Sequence, residues 1–280
     1  SIISGMALDG ESFFYVNPLE ALPQASLKDQ RMRHVKIERQ KWFGCACCPP
    51  NLARIIASLG SYTHSTNADT VYTHLYMGGE ARLSLAGREL TITTETSYPW
   101  EGQVDISLAL AGKAAFGYGL RIPSWCKSFS LTLNGANAPY TLRDGYALIR
   151  REWQNGDSLS LSLDMPANLV EANPHVRDNR GKLALTRGPL VYCLEEKDNG
   201  TELFRLHARS PGGFAVNYRK DLLEGVCVIS CAGKKEKDWP DGALYRSRAE
   251  TDYEDRELTF IPYYAWANRG AGEMTVWINK

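Results

Sequence analysis

Three cysteines fall within four residues at Cys45-Ala46-Cys47-Cys48, and Pro49-Pro50-Asn51 follows at once. Sulfur this concentrated points to chemistry rather than to core packing alone. Beyond it, Leu52, Ile55, Ile56 and Leu59 recur at i, i+3, i+4 and i+7, the apolar stripe of a helix, and Gly60 stands where such a helix stops. The two prolines suit a position before or in a first helical turn, where a missing N–H costs nothing. Cys47 and Cys48 are therefore expected just ahead of a helix N-terminus, whose unpaired N–H groups and dipole favour an anion and lower a thiol pKa.

A thiolate has two common uses, metal ligation and nucleophilic attack, and zinc is the metal best matched to sulfur. A tetrahedral zinc takes four ligands, and a Cys-x-Cys-Cys run rarely supplies more than two with good angles. The rest would come from elsewhere. Cys227 and Cys231 form the nearest candidate pair, but they are spaced at i, i+4 and lie far along the chain. Packed, unreactive cysteines are the plain alternative, and adjacent cysteines pair badly as a disulfide.

The stretch Trp42-Phe43-Gly44-Cys45-Ala46-Cys47-Cys48-Pro49-Pro50-Asn51 with Ala53-Arg54 resembles the cysteine motif of glycoside hydrolase family 127, the β-L-arabinofuranosidases. Other segments resemble the family in the same order. They are Gly5 to Gly10 with Phe14 to Glu20, Leu120-Arg121-Ile122-Pro123-Ser124-Trp125, Arg187 to Glu195, and Ile261 to Arg269. The resemblance implies that Cys47 is a nucleophile attacking an anomeric carbon and that Cys48 holds a zinc ion which also contacts the Cys47 sulfur. A thiolate would then replace one of the two carboxylates usual in glycosidases, with retention of configuration by double displacement. It further implies two more zinc ligands from a Glu-x-Cys pair, and an acid/base glutamate. No Glu-x-Cys occurs in this sequence, and Glu11, Glu20 and Glu38 match none of these roles. By the resemblance, the chain is the C-terminal part of such an enzyme, and its missing N-terminal barrel is an expected partner.

Composition narrows the classes. The 280 residues suffice for about two domains, 44% hydrophobic content supports real cores, and a formal net charge of zero with no basic-aromatic stripe argues against a nucleic-acid binder. The seven cysteines are odd in number and unevenly placed. They read as reduced thiols in a cytoplasmic or otherwise reducing setting rather than as a disulfide framework. No secretory or transmembrane stretch stands out, so no membrane partner is expected.

The elements that must position the cysteines follow from periodicity. Residues 1–62 read as the end of a helical domain, by resemblance the tail of an (α/α)6 barrel. There Tyr15 and Asn17, with Cys45, are candidate substrate contacts, since sugars need an apolar face plus placed polar groups. From residue 63 the pattern alternates. Strands are expected over 71–77, 81–85, 89–94, 103–110, 116–122, 128–133, 146–151 and 158–163, punctuated by Asn134-Gly135, Asp144-Gly145 and other turn signals. These make a β-sandwich over 63–168. A second sandwich over 169–280 is expected from strands at 169–172, 182–186, 190–195, 226–230, 244–248, 257–262 and 274–278, with long loops at 197–225 and 232–243. It is also a plausible homodimer surface. The fold class is thus mainly β, two β-sandwiches preceded by a barrel remnant.

Other eye-catching residues have plain readings. His175 lies in a turn-rich segment and reads as a loop residue. Trp125, Trp153, Trp239, Trp266 and Trp277 read as sandwich core before they read as a glycan-binding face. Cys126, Cys193, Cys227 and Cys231 read as buried sulfur in strands. Two functions follow: a retaining zinc-thiolate glycoside hydrolase releasing terminal β-L-arabinofuranosyl or related groups, or, for this chain by itself, a non-catalytic accessory module that binds glycan or assists assembly.

Overall fold

In the computed structural model, residues 5–29, 35–45, 47–208, 213–245, 247 and 251–280 are described. The chain divides into one unit at Ala53–Pro166 and another that joins Ser1–Leu52 to Ala167–Lys280. The early residues hold a short helix Pro23–Lys28, the helix Cys48–Ser58 running into a 3-10 turn Leu59–Tyr62, and a two-residue strand β1 (Glu20–Ala21). Most other described residues among 5–29 and 35–45 lie in turns, bends or irregular backbone. Phe13 pairs as an isolated bridge with both Met6 and Gln40. Helical packing is thus only a part of a segment that the sequence presents as the end of a helical domain. Its backbone finds hydrogen bonds within the segment, as between Phe14 and Gly5 and between Phe13 and Gln40, and through the pairing of β1 with β20.

The Ala53–Pro166 unit is a β-sandwich. Its strands are β2 (His64–Thr66), β3 (Thr70–Thr73), β4 (Gly79–Leu85), β5 (Arg88–Thr96), β6 (Gln103–Leu110), β7 (Ala114–Arg121), β8 (Phe129–Leu133), β9 (Ala136–Asn137), β10 (Thr141–Arg143), β11 (Tyr146–Trp153) and β12 (Ser158–Leu163). One sheet has the order β10-β11-β7-β3-β2 and the other β4-β5-β6-β12-β8-β9. Alternation in strands such as β6 and β12 aims one side chain in two inward. Tyr118, Leu120 and Ile149 from the first sheet meet Ile92, Ile106, Leu159 and Leu161 from the second in one buried core. Trp153 is fully enclosed there, donating its indole N–H to the Phe116 carbonyl at 3.0 Å. The hairpins close on Asn134-Gly135 and Asp144-Gly145 with φ positive at both residues, the backbone that these dipeptides tolerate.

The other unit carries β13 (Ala167–Val170), β14 (Lys182–Arg187), β15 (Leu190–Glu195), β16 (Leu206–Ala208), β17 (Ala215–Arg219), β18 (Val226–Glu236), β19 (Tyr253–Pro262), β20 (Met274–Thr275) and β21 (Trp277–Asn279). Here the second sandwich takes a different form. Among the described residues these strands and β1 form one sheet, ordered β1-β20-β15-β19-β18-β16-β21-β14-β13 with β17 on β18. Because β14 also pairs β15, the hydrogen bonding runs back on itself instead of splitting into two separately paired sheets. The expected loops at 197–225 and 232–243 contain β16, β17 and the last part of β18. The strand expected at 244–248 is not one where it is described. Leu244 and Tyr245 are exposed and unpaired in any strand, while residues 246 and 248 lie outside the described residues.

One of the two cores of this unit holds the N-terminal segment in place. Phe14 and Ala21 are buried with Ala184, Cys193, Ile261, Trp266, Met274 and Val276. β1 pairs β20, and the Val276 N–H bonds the Leu19 carbonyl at 2.9 Å. The 3-10 turn Tyr263–Ala265 and the residues after it form the seat. Arg269 bridges Glu195 and Asp198, and Glu195, only 5% exposed, also accepts the Ala267 N–H at 2.6 Å.

Candidate active site

Cys48 opens the helix Cys48–Ser58 rather than preceding it, with Pro49 and Pro50 in the first turn. The Asn51 side-chain amide donates to the Cys47 carbonyl at 2.8 Å and so ties the helix to the residue before it. No residue of this helix is buried, and Ile56 on its apolar stripe is 46% exposed.

The three sulfurs stand together. Cys45 Sγ lies 3.5 Å from Cys47 Sγ, which lies 3.8 Å from Cys48 Sγ. The Tyr15 hydroxyl completes the cluster, 3.3 Å from Cys47 Sγ and donating to Cys45 Sγ at 3.6 Å. Its hydrogen bonds to Cys47 and Cys45 push the Tyr15 pKa well above the usual phenol value. The Cys45 thiol is lowered, first by the Cys47 amide and then by the Tyr15 hydroxyl. Cys48 moves the other way: desolvation and the neighbouring Cys47 sulfur raise it, against the lowering expected from a helix N-terminus.

An aromatic lining holds the cluster up. Phe43 meets Phe13 at 5.0 Å and Tyr15 at 5.7 Å between ring centroids. Phe13 exchanges both backbone hydrogen bonds with Gln40, at 3.0 and 2.9 Å. Beside it, Arg39 donates to the Trp266 carbonyl at 2.6 Å and lies 4.7 Å from the Phe14 ring centre. Burial lowers its pKa to about 10, which leaves it charged at neutral pH. Of the candidate substrate contacts, Tyr15 and Cys45 are thus brought to Cys47. Asn17 is exposed, with its amide beside the Gly5 backbone. Arg39 is not singled out in the sequence reading, which has Phe43 only within the cysteine motif and Trp266 as core, neither of them beside the cysteines. Only the Phe13-Phe14-Tyr15 run and the Ile261–Arg269 segment hint at them.

The remaining cysteines do not join the cluster. All seven are free thiols; Cys193, Cys227 and Cys231 are buried, and Cys126 is half-buried in a turn, not a strand, donating to the Ser128 carbonyl at 3.0 Å. His175 closes a local turn through its N–H to Asn173 at 3.0 Å. Trp153 and Trp266 are core.

Family profiles match the chain in three consecutive blocks. The β-L-arabinofuranosidase GH127 catalytic domain matches residues 1–61, the GH127 middle domain residues 70–165, and the glycoside hydrolase family 127 C-terminal domain residues 167–279. This chain belongs to glycoside hydrolase family 127. It is 38% identical over 285 residues to the non-reducing end β-L-arabinofuranosidase of Bifidobacterium longum subsp. longum, covering 98% of this chain and 43% of that protein. A family 127 β-L-arabinofuranosidase from Geobacillus stearothermophilus T6 superposes with a TM-score of 0.95 at 46% identity, over 99% of this chain and 44% of that one. A further solved family 127 β-arabinofuranosidase gives 0.88 at 34% identity, over 99% and 43%. The chain therefore spans less than half the length of these family 127 relatives.

The spacing of the sulfurs can be set against that of zinc ligands. Ligands on a tetrahedral zinc at about 2.3 Å stand about 3.8 Å apart. The Cys47–Cys48 separation of 3.8 Å fits two of the four positions. Among the described residues no group of three or more His, Cys, Asp or Glu side chains is placed to hold a metal ion. The donor pair thus fits half of a zinc site.

Proposed function

We propose that this chain is the nucleophile-bearing portion of a retaining glycoside hydrolase that releases terminal β-L-arabinofuranosyl or closely related groups. The observation that carries the reading is the Cys45–Cys47–Cys48 cluster, held under the Tyr15 hydroxyl within a family 127 catalytic-domain match.

Cys47 is the residue assigned to attack. Its sulfur adds to the anomeric carbon as the glycosidic C–O bond breaks, giving a thioglycosyl intermediate that water then hydrolyses, and two inversions restore the starting configuration. Tyr15 fixes the Cys47 sulfur by hydrogen bonding, and its ring, 39% exposed, offers an apolar face to the sugar. Cys45 and Asn17 are assigned as further substrate contacts. Zinc, held by Cys48 and Cys47, would keep sulfur deprotonated near neutral pH. We assign the acid/base glutamate and the remaining metal ligands to the part of the family 127 relatives that this chain does not span, together with an (α/α)6 barrel ending in residues 1–62. Trp42 at 67% and Leu27 at 75% exposed support such a covering. Seven free thiols support a reducing, cytoplasmic setting. No helix among the described residues is long and apolar enough to cross a membrane.

The test is release of nitrophenol from an aryl β-L-arabinofuranoside by a protein extended upstream, with and without Cys47→Ala. Activity lost with Cys47→Ala supports the assignment. Activity retained rejects it.

A further inference from the structure

Phe13, Phe14 and Tyr15 follow one another beside the isolated bridge that pairs Phe13 with Gln40. Phe43 meets the rings of both Phe13 and Tyr15, and Tyr15 reaches the sulfurs. Phe14 is 3% exposed, stacked on Trp266 with centroids 4.6 Å apart and planes 5° from parallel. This short segment thus joins the cysteine cluster to the turn that follows β19.

Arg39 closes this arrangement. Its guanidinium lies over the Phe14 ring, 4.7 Å from its centre, donates to the Trp266 carbonyl at 2.6 Å and reaches the Tyr264 carbonyl at 3.4 Å. The next residue, Gln40, is the two-way backbone partner of Phe13. Asn268 adds a second tie by accepting the Leu8 N–H at 2.9 Å. The turn itself is fixed from below: Glu195 takes the N–H of Ala267, whose φ of 56° is unfavourable for a residue with a Cβ, and pairs with Arg269.

We propose that Arg39 is a positioning residue for the reaction assigned to Cys47, seating the Phe13–Tyr15 segment on the Trp266 turn so that the Tyr15 hydroxyl and the Cys47 sulfur keep their relative placement. The proposal rests on the functional reading above. It makes the C-terminal sheet a working part of the site, because the turn that Arg39 grips belongs to that sheet. A positioning error of about 1 Å at a reacting atom can cost about a hundredfold in rate, so a guanidinium that never meets the substrate still bears on turnover.

The first test needs no turnover. The 280-residue chain is freed of metal with a chelator and treated with iodoacetamide, and each cysteine is followed by peptide mass spectrometry. Arg39→Gln removes the charge and the fork. The Cys47-to-Cys45 alkylation ratio should change by about threefold or more, and Arg39→Lys, which keeps the charge, should fall between. Cys193, Cys227 and Cys231 report on the fold, since they are buried in the native chain. If Arg39→Gln exposes them, Asn268→Ser, which loosens only the Leu8 tie and its local turn, is read in its place. An unchanged ratio in a variant whose buried cysteines stay protected overturns the proposal. Exposure of the buried cysteines in both variants also overturns it, because the turn would then be a folding element and nothing more.

In the upstream-extended protein, Arg39→Gln should lower kcat by about tenfold with KM within about twofold. A rise in KM alone contradicts the proposal. Failure of the Cys47 assignment shows separately, as activity surviving Cys47→Ala, whereas the alkylation ratio does not depend on catalysis.

Discussion

Replacing Phe14 by alanine should detach the cysteine-bearing segment from its seat. Phe14 is 3% exposed, stacks on Trp266 at 4.6 Å, and has the Arg39 guanidinium 4.7 Å from its ring centre. Truncating a buried phenylalanine costs about 3–5 kcal/mol, and the stacked pair and cation–π contact place this site in the middle of that range or above, so about 4 kcal/mol is expected. For a cooperative unit the size of Ser1–Leu52 with Ala167–Lys280, each kcal/mol lowers the melting midpoint by about 2–4 °C, giving a fall of about 12 °C. The assay is thermal unfolding, paired with hydrogen exchange to locate the loss. Amides of β1 and β20 should exchange faster, whereas β7 and β11, in the other unit, should not. A midpoint shift below about 3 °C, or faster exchange confined to the sandwich, would show that the segment does not depend on the Trp266 seat.

Three more expectations follow from particular residues. Asp157 is 2% exposed, and although desolvation works against its charge, hydrogen bonds from Asn134 at 2.8 Å and the Gln154 N–H at 2.9 Å, with Arg151 nearby, hold its pKa below the usual carboxylate value. A depressed folded-state pKa contributes stability above the unfolded value that is lost as pH falls through the folded one. The sandwich melting midpoint should therefore drop steeply below about pH 4, and Asp157→Asn should start lower and show a shallower drop, as measured by thermal unfolding against pH. Tyr15→Phe removes the hydroxyl that touches both sulfurs and should lower kcat of the upstream-extended protein by about tenfold or more, measured with an aryl arabinofuranoside. Zinc measured after dialysis against a mild chelator should be close to none on this chain alone and about one per chain on the extended protein, since the Cys47–Cys48 pair fills only half of a tetrahedral set.

Much of the sandwich is legible in the sequence because its strands are long and half-buried. β6 and β12 coincide with alternating runs, and Asn134-Gly135 between β8 and β9 and Asp144-Gly145 between β10 and β11 mark turns by a backbone that other residues resist. The short strands β2, β9 and β10 are too brief to show a period. β17 escapes notice for another reason: all five of its residues are exposed, so no buried face leaves a pattern. β18 runs on past its expected end because Gly233 is not a turn glycine. A Cβ there would stand 2.5 Å from Leu258 and 2.8 Å from the His207 carbonyl, so glycine is what lets the strands close.

The site divides in the same way. Three clustered cysteines before a proline-capped helix declare themselves by residue type and spacing, and the structure adds only that Tyr15 joins them and Cys48 lies inside the helix. Arg39 gives no such signal. It sits in a polar stretch whose charge looks solvated, and its partners at 264 and 266 are distant in sequence, so only the folded chain reveals the contact.

The central claim is tested most directly by trapping. The upstream-extended protein is incubated with an activated β-L-arabinofuranosyl donor, quenched in acid and digested, and the peptide carrying Cys45 to Cys48 is examined by tandem mass spectrometry. A pentosyl increment localised to the Cys47 sulfur, absent in Cys47→Ser along with activity, is the predicted result. An increment on a carboxylate side chain, or turnover that survives Cys47→Ser, would contradict the account.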